Sequence, residues 1–442
     1  MARELFGTDG VRGRAGEFLT AELALEVAQA AVARAPEAHP EVLIVRDTRE
    51  SGEMLEAAIA AGVTAGGGDA LLAGVLPTPA APLLVRRYGL ALAVVISASH
   101  NRYEDNGIKL FGSDGFKLDD ETETAIEAEL HDVRSPPERI GRVRAQPAAL
   151  EDYVEALHGR FSGLDLSGRR FLIDCANGAT FQAAPETLRR LGAEVDVIAD
   201  QPDGRNINDG CGSTHLGGLV RGVTEGGYEL GFAFDGDGDR VLAVDETGEV
   251  VDGDELVALA AIHLRARGRL PDDGVAVTVM TNYGFHTAMQ AAGIKVATTA
   301  VGDRYVLDEL RRRGWSLGGE QSGHIIELGF GPSGDGLASA LLTLEALGDR
   351  RLAARDAMTK LPQRLVNIRA TDRSSVLAAM ASPPVLEAIE RERLALEGRG
   401  RVLVRASGTE PLIRVMVEAP EVPETDAACG RLTDVVRTEL GV

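Results

Sequence analysis

Leu92-Ala-Val-Val-Ile-Ser-Ala-Ser-His-Asn101 is the stretch from which the rest of the chain is read. Its first five residues form an unbroken apolar run and read as a buried strand. The next five place two hydroxyls, an imidazole and an amide at that strand's carboxyl end, where open α/β sheets put their chemistry. A serine there can act as a nucleophile or carry a phosphate, provided a neighbour activates it. The plainer reading is a polar turn that closes the strand.

A second cluster, Asp235-Gly-Asp-Gly-Asp-Arg240, follows another strand-like run, Leu230-Gly-Phe-Ala-Phe234. Three carboxylates at alternate positions, spaced by glycine, can bend round one hard cation; oxygen ligands of this kind suit Mg²⁺ or Ca²⁺ better than zinc. Arg240 beside such a cation suits a phosphate bridging both. An acidic surface turn is the plainer alternative. A helix-flanked calcium loop is a sharper one, since Asp235, Asp237, Asp239 and Glu246 fall at its ligand positions. However, Arg240 stands where that loop needs glycine, and the flanks read as strands.

The 442 residues suffice for about three or more domains. The net charge of −22 argues against nucleic acid and anionic membrane as partners, because both attract basic surfaces. No stretch has the length of a membrane span. The first residues lack an apolar signal region, and Cys175, Cys211 and Cys429 show neither metal spacing nor a paired framework, which predicts a reducing, cytoplasmic setting.

Strands and helices alternate through most of the chain. Thr20 caps a helix that ends at Pro36, Val42–Val45 is a strand, and a helix lies around Met54–Val63. A linker is expected near residues 135–150. A second unit holds a helix at Leu150–Leu157 and strands at Arg170–Asp174, Glu194–Ile198 and Leu230–Phe234. A third has helices at Asp254–Arg267, Phe285–Ala292 and Asp303–Arg313, strands at Val275–Met280 and Ile294–Thr298, and the loop Gly318-Gly-Glu-Gln-Ser-Gly-His324. The pattern shifts near Leu361-Pro362 to a small α+β unit. There, strands Arg401–Arg405 and Leu412–Val417 flank Ala406-Ser-Gly-Thr-Glu-Pro411, and a helix over Thr425–Leu440 closes the chain. No clear sequence repeat links the units.

The serine loop, the aspartate loop, the Glu320–His324 loop and the Arg405–Thr409 loop come one from each unit. Glu320 and Ser322 can hold vicinal hydroxyls of a sugar. Arg405, Ser407, Gly408, Thr409 and Arg414 offer guanidinium, hydroxyl and backbone N–H donors, a mixture suited to a phosphate dianion. Four such loops point to one site that takes a phosphosugar.

With Leu5–Gly13, Asp105–Lys109 and Arg405–Met416 added in this order, the chain resembles the α-D-phosphohexomutase superfamily over nearly its whole length, and within it the branch that acts on glucosamine phosphates. The methionine typical of the phosphomannomutase/phosphoglucomutase branch is replaced by Gln321. The resemblance implies three similar α/β domains with mixed sheets flanked by helices (1–148, 149–248 and 249–363), a smaller C-terminal α+β domain (364–442), and an active site in the central cleft. It implies interconversion of glucosamine 6-phosphate and glucosamine 1-phosphate through a phosphoserine at Ser99 and a bisphosphorylated sugar, feeding UDP-N-acetylglucosamine and cell-wall synthesis. A glucose or mannose phosphate mutase of the same superfamily is the alternative. One Mg²⁺ per chain is expected on Ser99, Asp235, Asp237 and Asp239, with a trace of glucosamine 1,6-bisphosphate or another hexose bisphosphate as activator.

Arg240 is expected to add charge at the metal. Lys109 and His100 are the candidates for moving the hydroxyl proton or stabilising charge; a lysine that does so needs a lowered pKa. His324 is a further candidate for either role. Arg12 and Arg205 are expected to bind phosphoserine or substrate, or else to form plain ion pairs. A homodimer is the family-level expectation. One departure stands out: the family usually has proline where Arg102 follows Asn101. Outside this class, a metal-dependent phosphatase and a non-catalytic phosphosugar-binding or calcium-binding protein remain the alternatives.

Overall fold

The computed structural model describes residues 5–7, 9–130, 137–407 and 410–442. Two compact units are found, one of Met1–Val279 with Lys295–Arg355 and one of Met280–Ile294 with Asp356–Val442.

Among the described residues, the larger unit contains three mixed sheets. In the first, Leu92–Ile96 and Asp69–Val75 run parallel on either side of Glu41–Arg46. The side chains of Leu92, Val94 and Ile96 are buried with Val42, Ile44 and Ile108 in one core, on which the helix Ala21–Arg34 also packs. Thr20 caps that helix as expected, its hydroxyl accepting from Leu23 N at 3.2 Å. In the second sheet, Arg170–Asp174 is parallel to both Glu194–Ile198 and Leu230–Phe234. In the third, Gly274–Thr278 is parallel to both Lys295–Thr299 and Leu317–Gly319.

Each of these sheets then turns back on itself. Leu92–Ile96 is followed by Asp105–Gly112, antiparallel with Ile96 opposite Ile108. Leu230–Phe234 is followed by Val241–Asp245, with Phe234 opposite Val241. Leu317–Gly319 is followed by Ile325–Glu327, with Gly319 opposite Ile325. The serine loop, the aspartate loop and the Glu320–His324 loop are the three links at these turn-backs. The units share no visible sequence repeat, yet the chemistry-bearing loop occupies the same topological position in each sheet.

The smaller unit carries an antiparallel three-stranded sheet. Gln363–Arg369 and Arg401–Ala406 flank Leu412–Glu418. Val385, Ile413, Val415, Val417, Cys429 and Leu432 lie in its core. The helix Tyr283–Ala291 belongs to this unit, where Tyr283 N donates to Glu418 at 2.7 Å.

Two expectations need correction. Part of the proposed linker, Val143–Ala145, is an edge strand parallel to Ala70–Leu72. Its side chains are exposed, so main-chain pairing alone defines it and no apolar pattern announces it. The small sheet has three strands instead of two, because Gln363–Arg369 is largely exposed and alternates too weakly to read as one.

Candidate active site

Ser99 sits at the tip of its turn-back with φ of 53°, a left-handed conformation that costs a non-glycine residue energy and persists only where the surroundings enforce it. The serine is buried, and its Oγ donates to Asp235 Oδ2 at 2.5 Å. His100 Nδ1 lies 3.4 Å from the same Oγ. Burial and the nearby Arg240 and Arg12 guanidinium groups lower the His100 pKa, so the ring is neutral at physiological pH.

Asp235, Asp237 and Asp239 are all buried, with one oxygen from each lying within 4.8 Å of the others. Desolvation and the two neighbouring carboxylates push Asp235 well above the usual carboxylate range. Asp237 is pulled down despite its burial, because Lys109 Nζ donates to its Oδ2 at 2.9 Å and Thr78 Oγ1 at 2.7 Å. Asp237 Oδ1 and Asp239 Oδ1 are buried without a hydrogen-bond partner. Unpartnered carboxylate oxygens at the centre of an anionic cluster fit a hard divalent cation, and the all-oxygen donor set suits Mg²⁺.

Lys109 is buried on the return strand, in contact with Asp237 and, at 3.1 Å, with Asp9. Burial alone would favour the neutral amine, but Asp237, Asp9 and Asp239 together outweigh it and raise the pKa. The lowered pKa expected of a proton-shuttling lysine is therefore not found; Lys109 is a fixed ammonium. Arg12, on the neighbouring strand Val11–Arg14, pairs with Asp9 and faces Asp237 and Asp239 electrostatically.

The Glu320–His324 loop joins this group through its backbone. Arg240 and His324 form a bridge, and Val241 N donates to Gly323 O at 3.1 Å. His324 is buried with Nε2 4.0 Å from Asp239 Oδ2. Arg240 Nε is 3.7 Å from Asp239 Oδ1. Glu320 Oε1 accepts from Gly302 N at 3.1 Å, and Ser322 is exposed at the tip. By contrast, Arg205 is a surface residue, 66% exposed and paired with Glu50 at 2.7 Å, which is the plain ion-pair reading.

In the smaller unit, Arg405 and Arg414 face each other across paired strands. Burial and the Arg414 charge lower the Arg405 pKa. Ser407 is buried, its Oγ accepting from Glu410 N at 3.3 Å. Gly408 and Thr409 lie outside the described residues.

Several residues at the site escaped the sequence reading: Asp9, Asp47, Arg49, Thr78, Lys117, Asn208 and Asp303. Lys117 pairs with both Asp9 and Asp303, the latter at 2.5 Å. Asp47-Thr48-Arg49 follows directly on the strand Glu41–Arg46, so a polar triplet with two charges closing a buried strand was the available signal.

Residues 3–136 match the phosphoglucomutase/phosphomannomutase α/β/α domain I model, 151–248 domain II, 252–365 domain III and 365–434 the C-terminal domain. The chain is 48% identical to the phosphoglucosamine mutase of Pelotomaculum thermopropionicum, covering 98% of this chain and 99% of that one. It is 49% identical to the phosphoglucosamine mutase of Rhodococcus erythropolis, with the same coverage of 98% and 99%. The crystal structure of a phosphoglucomutase/phosphomannomutase family protein from Burkholderia thailandensis superposes with a TM-score of 0.81 at 21% identity, covering 98% of this chain and 97% of that one.

Proposed function

The chain belongs to the phosphoglucomutase/phosphomannomutase family, and we propose that it is an enzyme interconverting glucosamine 6-phosphate and glucosamine 1-phosphate through a phosphorylated Ser99. The observation that carries the mechanism is the buried Ser99 hydroxyl on Asp235, one of three clustered aspartates. The choice of amino sugar rests on the near-full-length likeness to phosphoglucosamine mutases.

In the first half-reaction a free sugar hydroxyl attacks the phosphorus carried by Ser99, and in the second Ser99 Oγ attacks the other phosphorus of the bisphosphorylated sugar. In the first, the new P–O bond forms as the P–Oγ bond breaks. Neutral His100 takes the hydroxyl proton and returns it to Oγ, while the Lys109 ammonium stabilises charge on the departing oxygen. The bisphosphorylated sugar then turns end for end and gives its other phosphate back to Ser99. Bound at Asp235, Asp237, Asp239 and the serine's phosphate, Mg²⁺ would supply the positive charge that neutralises the transferring group. Glu320 holds sugar hydroxyls, and the Arg405–Arg414 pair with Ser407, Gly408 and Thr409 takes the phosphate that is not reacting.

Domain boundaries at 148, 248 and 363 belong to this reading, each of the four parts contributing one loop. So does a cytoplasmic setting. Among the described residues, no helix is long and apolar enough to cross a membrane.

The test is kcat/KM for glucosamine 6-phosphate beside glucose 6-phosphate and mannose 6-phosphate, with Mg²⁺ and a trace of bisphosphate. A strong preference for the amino sugar is expected. Equal or better turnover of the neutral sugars would retain the mechanism and overturn the substrate.

A further inference from the structure

We propose that Arg49 is a positioning residue for phosphoryl transfer, holding Ser99 in its left-handed conformation through the main chain of the serine loop. The inference rests on Ser99 being the phosphate carrier.

A guanidinium has five N–H donors, and every one of them on Arg49 has an acceptor. Nε donates to Asp47 Oδ2 at 2.8 Å. Nη2 donates to Ser99 O and Asn101 O, both at 2.9 Å. Nη1 donates to Asp105 O at 3.0 Å and to Arg102 O. The residue is 1% exposed. Four of its acceptors are carbonyls of one turn, so Arg49 responds to the shape of the loop and not to its side chains.

The other end of the Ser99 residue is tied to the same ion pair. Ser99 N donates to Ser97 Oγ at 3.0 Å, and Ser97 Oγ donates to Asp47 Oδ2 at 2.6 Å. Asn208, from the second sheet's unit, adds donors to Ser99 O and Asn101 O at 2.9 Å each. With N–H and C=O both held, the Oγ is aimed by its backbone. Arg102 meets Arg49 through its carbonyl, while its own side chain is 78% exposed.

The experiment uses full-length enzyme and the variants Arg49→Lys and Ser97→Ala. Lysine keeps the charge but has three donors and no fork; alanine frees the Ser99 N–H without touching substrate. Three quantities are read: kcat, KM for glucosamine 6-phosphate, and the single-turnover rate of Ser99 phosphorylation by a hexose bisphosphate. Misplacement of a reacting atom by about 1 Å costs roughly 100-fold in rate. The expected result is a fall of that order in kcat and in the phosphorylation rate for Arg49→Lys, a smaller fall for Ser97→Ala, and KM within about twofold of wild type for both. Should Arg49→Lys not fold, Ser97→Ala decides. Rates within about threefold of wild type for the folded variants, or a loss that appears only in KM, overturn the inference. A wild-type enzyme that never acquires phosphate on Ser99 overturns the parent reading instead.

Discussion

Ser99 Oγ donates to Asp235 Oδ2 at 2.5 Å in a buried setting. Phosphorylation of the serine removes that proton and sets a dianion against three carboxylates, so the phosphorylated form needs a cation that the free hydroxyl does not. Replacing Ser99 with alanine removes the carrier and leaves the aspartates intact. Mutase activity should fall by at least about a thousandfold, while Mg²⁺ binding followed by calorimetry persists. Residual turnover above that level would mean that phosphate travels by another route.

Asp235 behaves differently from its neighbour Asp237. Desolvation and two adjacent carboxylates disfavour its ionised form, whereas Asp237 is stabilised by Lys109 and Thr78. Asp235→Asn should therefore raise the thermal midpoint of the metal-free protein, by an amount equivalent to about 1 kcal/mol, while lowering kcat about 100-fold or more. A variant less stable than wild type in chelator would show that the carboxylate is not strained there.

Glu320 is fixed by Gly302 N at 3.1 Å. Its replacement by glutamine preserves size and removes charge. A hydrogen bond to a charged group contributes about 1.5–3 kcal/mol, so kcat/KM should fall roughly 10- to 150-fold, with the thermal midpoint nearly unchanged. A loss confined to stability would make Glu320 a structural residue.

Asp335 is a buried helix cap whose carboxylate accepts from Ala338 N at 2.9 Å and from Tyr153 Oη at 3.0 Å. Desolvation nevertheless raises its pKa from 3.8 to about 6. The folded state thus holds this proton over a range in which the unfolded chain has lost it. Stability from this group is present below pH 4 and declines as pH rises to 6, by about 3 kcal/mol in total. Asparagine caps a helix as well as aspartate does but cannot ionise. The stability of Asp335→Asn relative to wild type should therefore increase across pH 4 to 6, as read from urea midpoints, and stay level above pH 7. A difference independent of pH would contradict the assignment.

The site's legibility in the sequence followed from chain locality. Ser97–Asn101, Asp235–Arg240 and Gly318–His324 are short, contiguous and attached to strands, so each loop could be recognised from its own residues. Asp9, Asn208 and the Asp47–Arg49 pair could not, because their partners lie far along the chain: Arg49 reaches Asp105, and Asn208 reaches Ser99. The pKa direction of Lys109 was missed for the same reason. A proton-moving lysine needs a lowered pKa, while the fold surrounds Lys109 with Asp9, Asp237 and Asp239. Edge strands such as Val143–Ala145 were hidden because exposed side chains carry no pattern.

Gly236 has its α-carbon against the serine loop: a β-carbon there would stand 2.6 Å from both Ser99 O and Asn208 Nδ2. The nucleophile's turn is therefore moulded partly by residues more than a hundred positions downstream. A ribosome that has released only the first sheet has made a serine with no finished mould around it. The serine's surroundings are completed late, when the second sheet closes over it, so a truncated chain carries the proposed phosphate carrier without Gly236 and Asn208 to shape its turn.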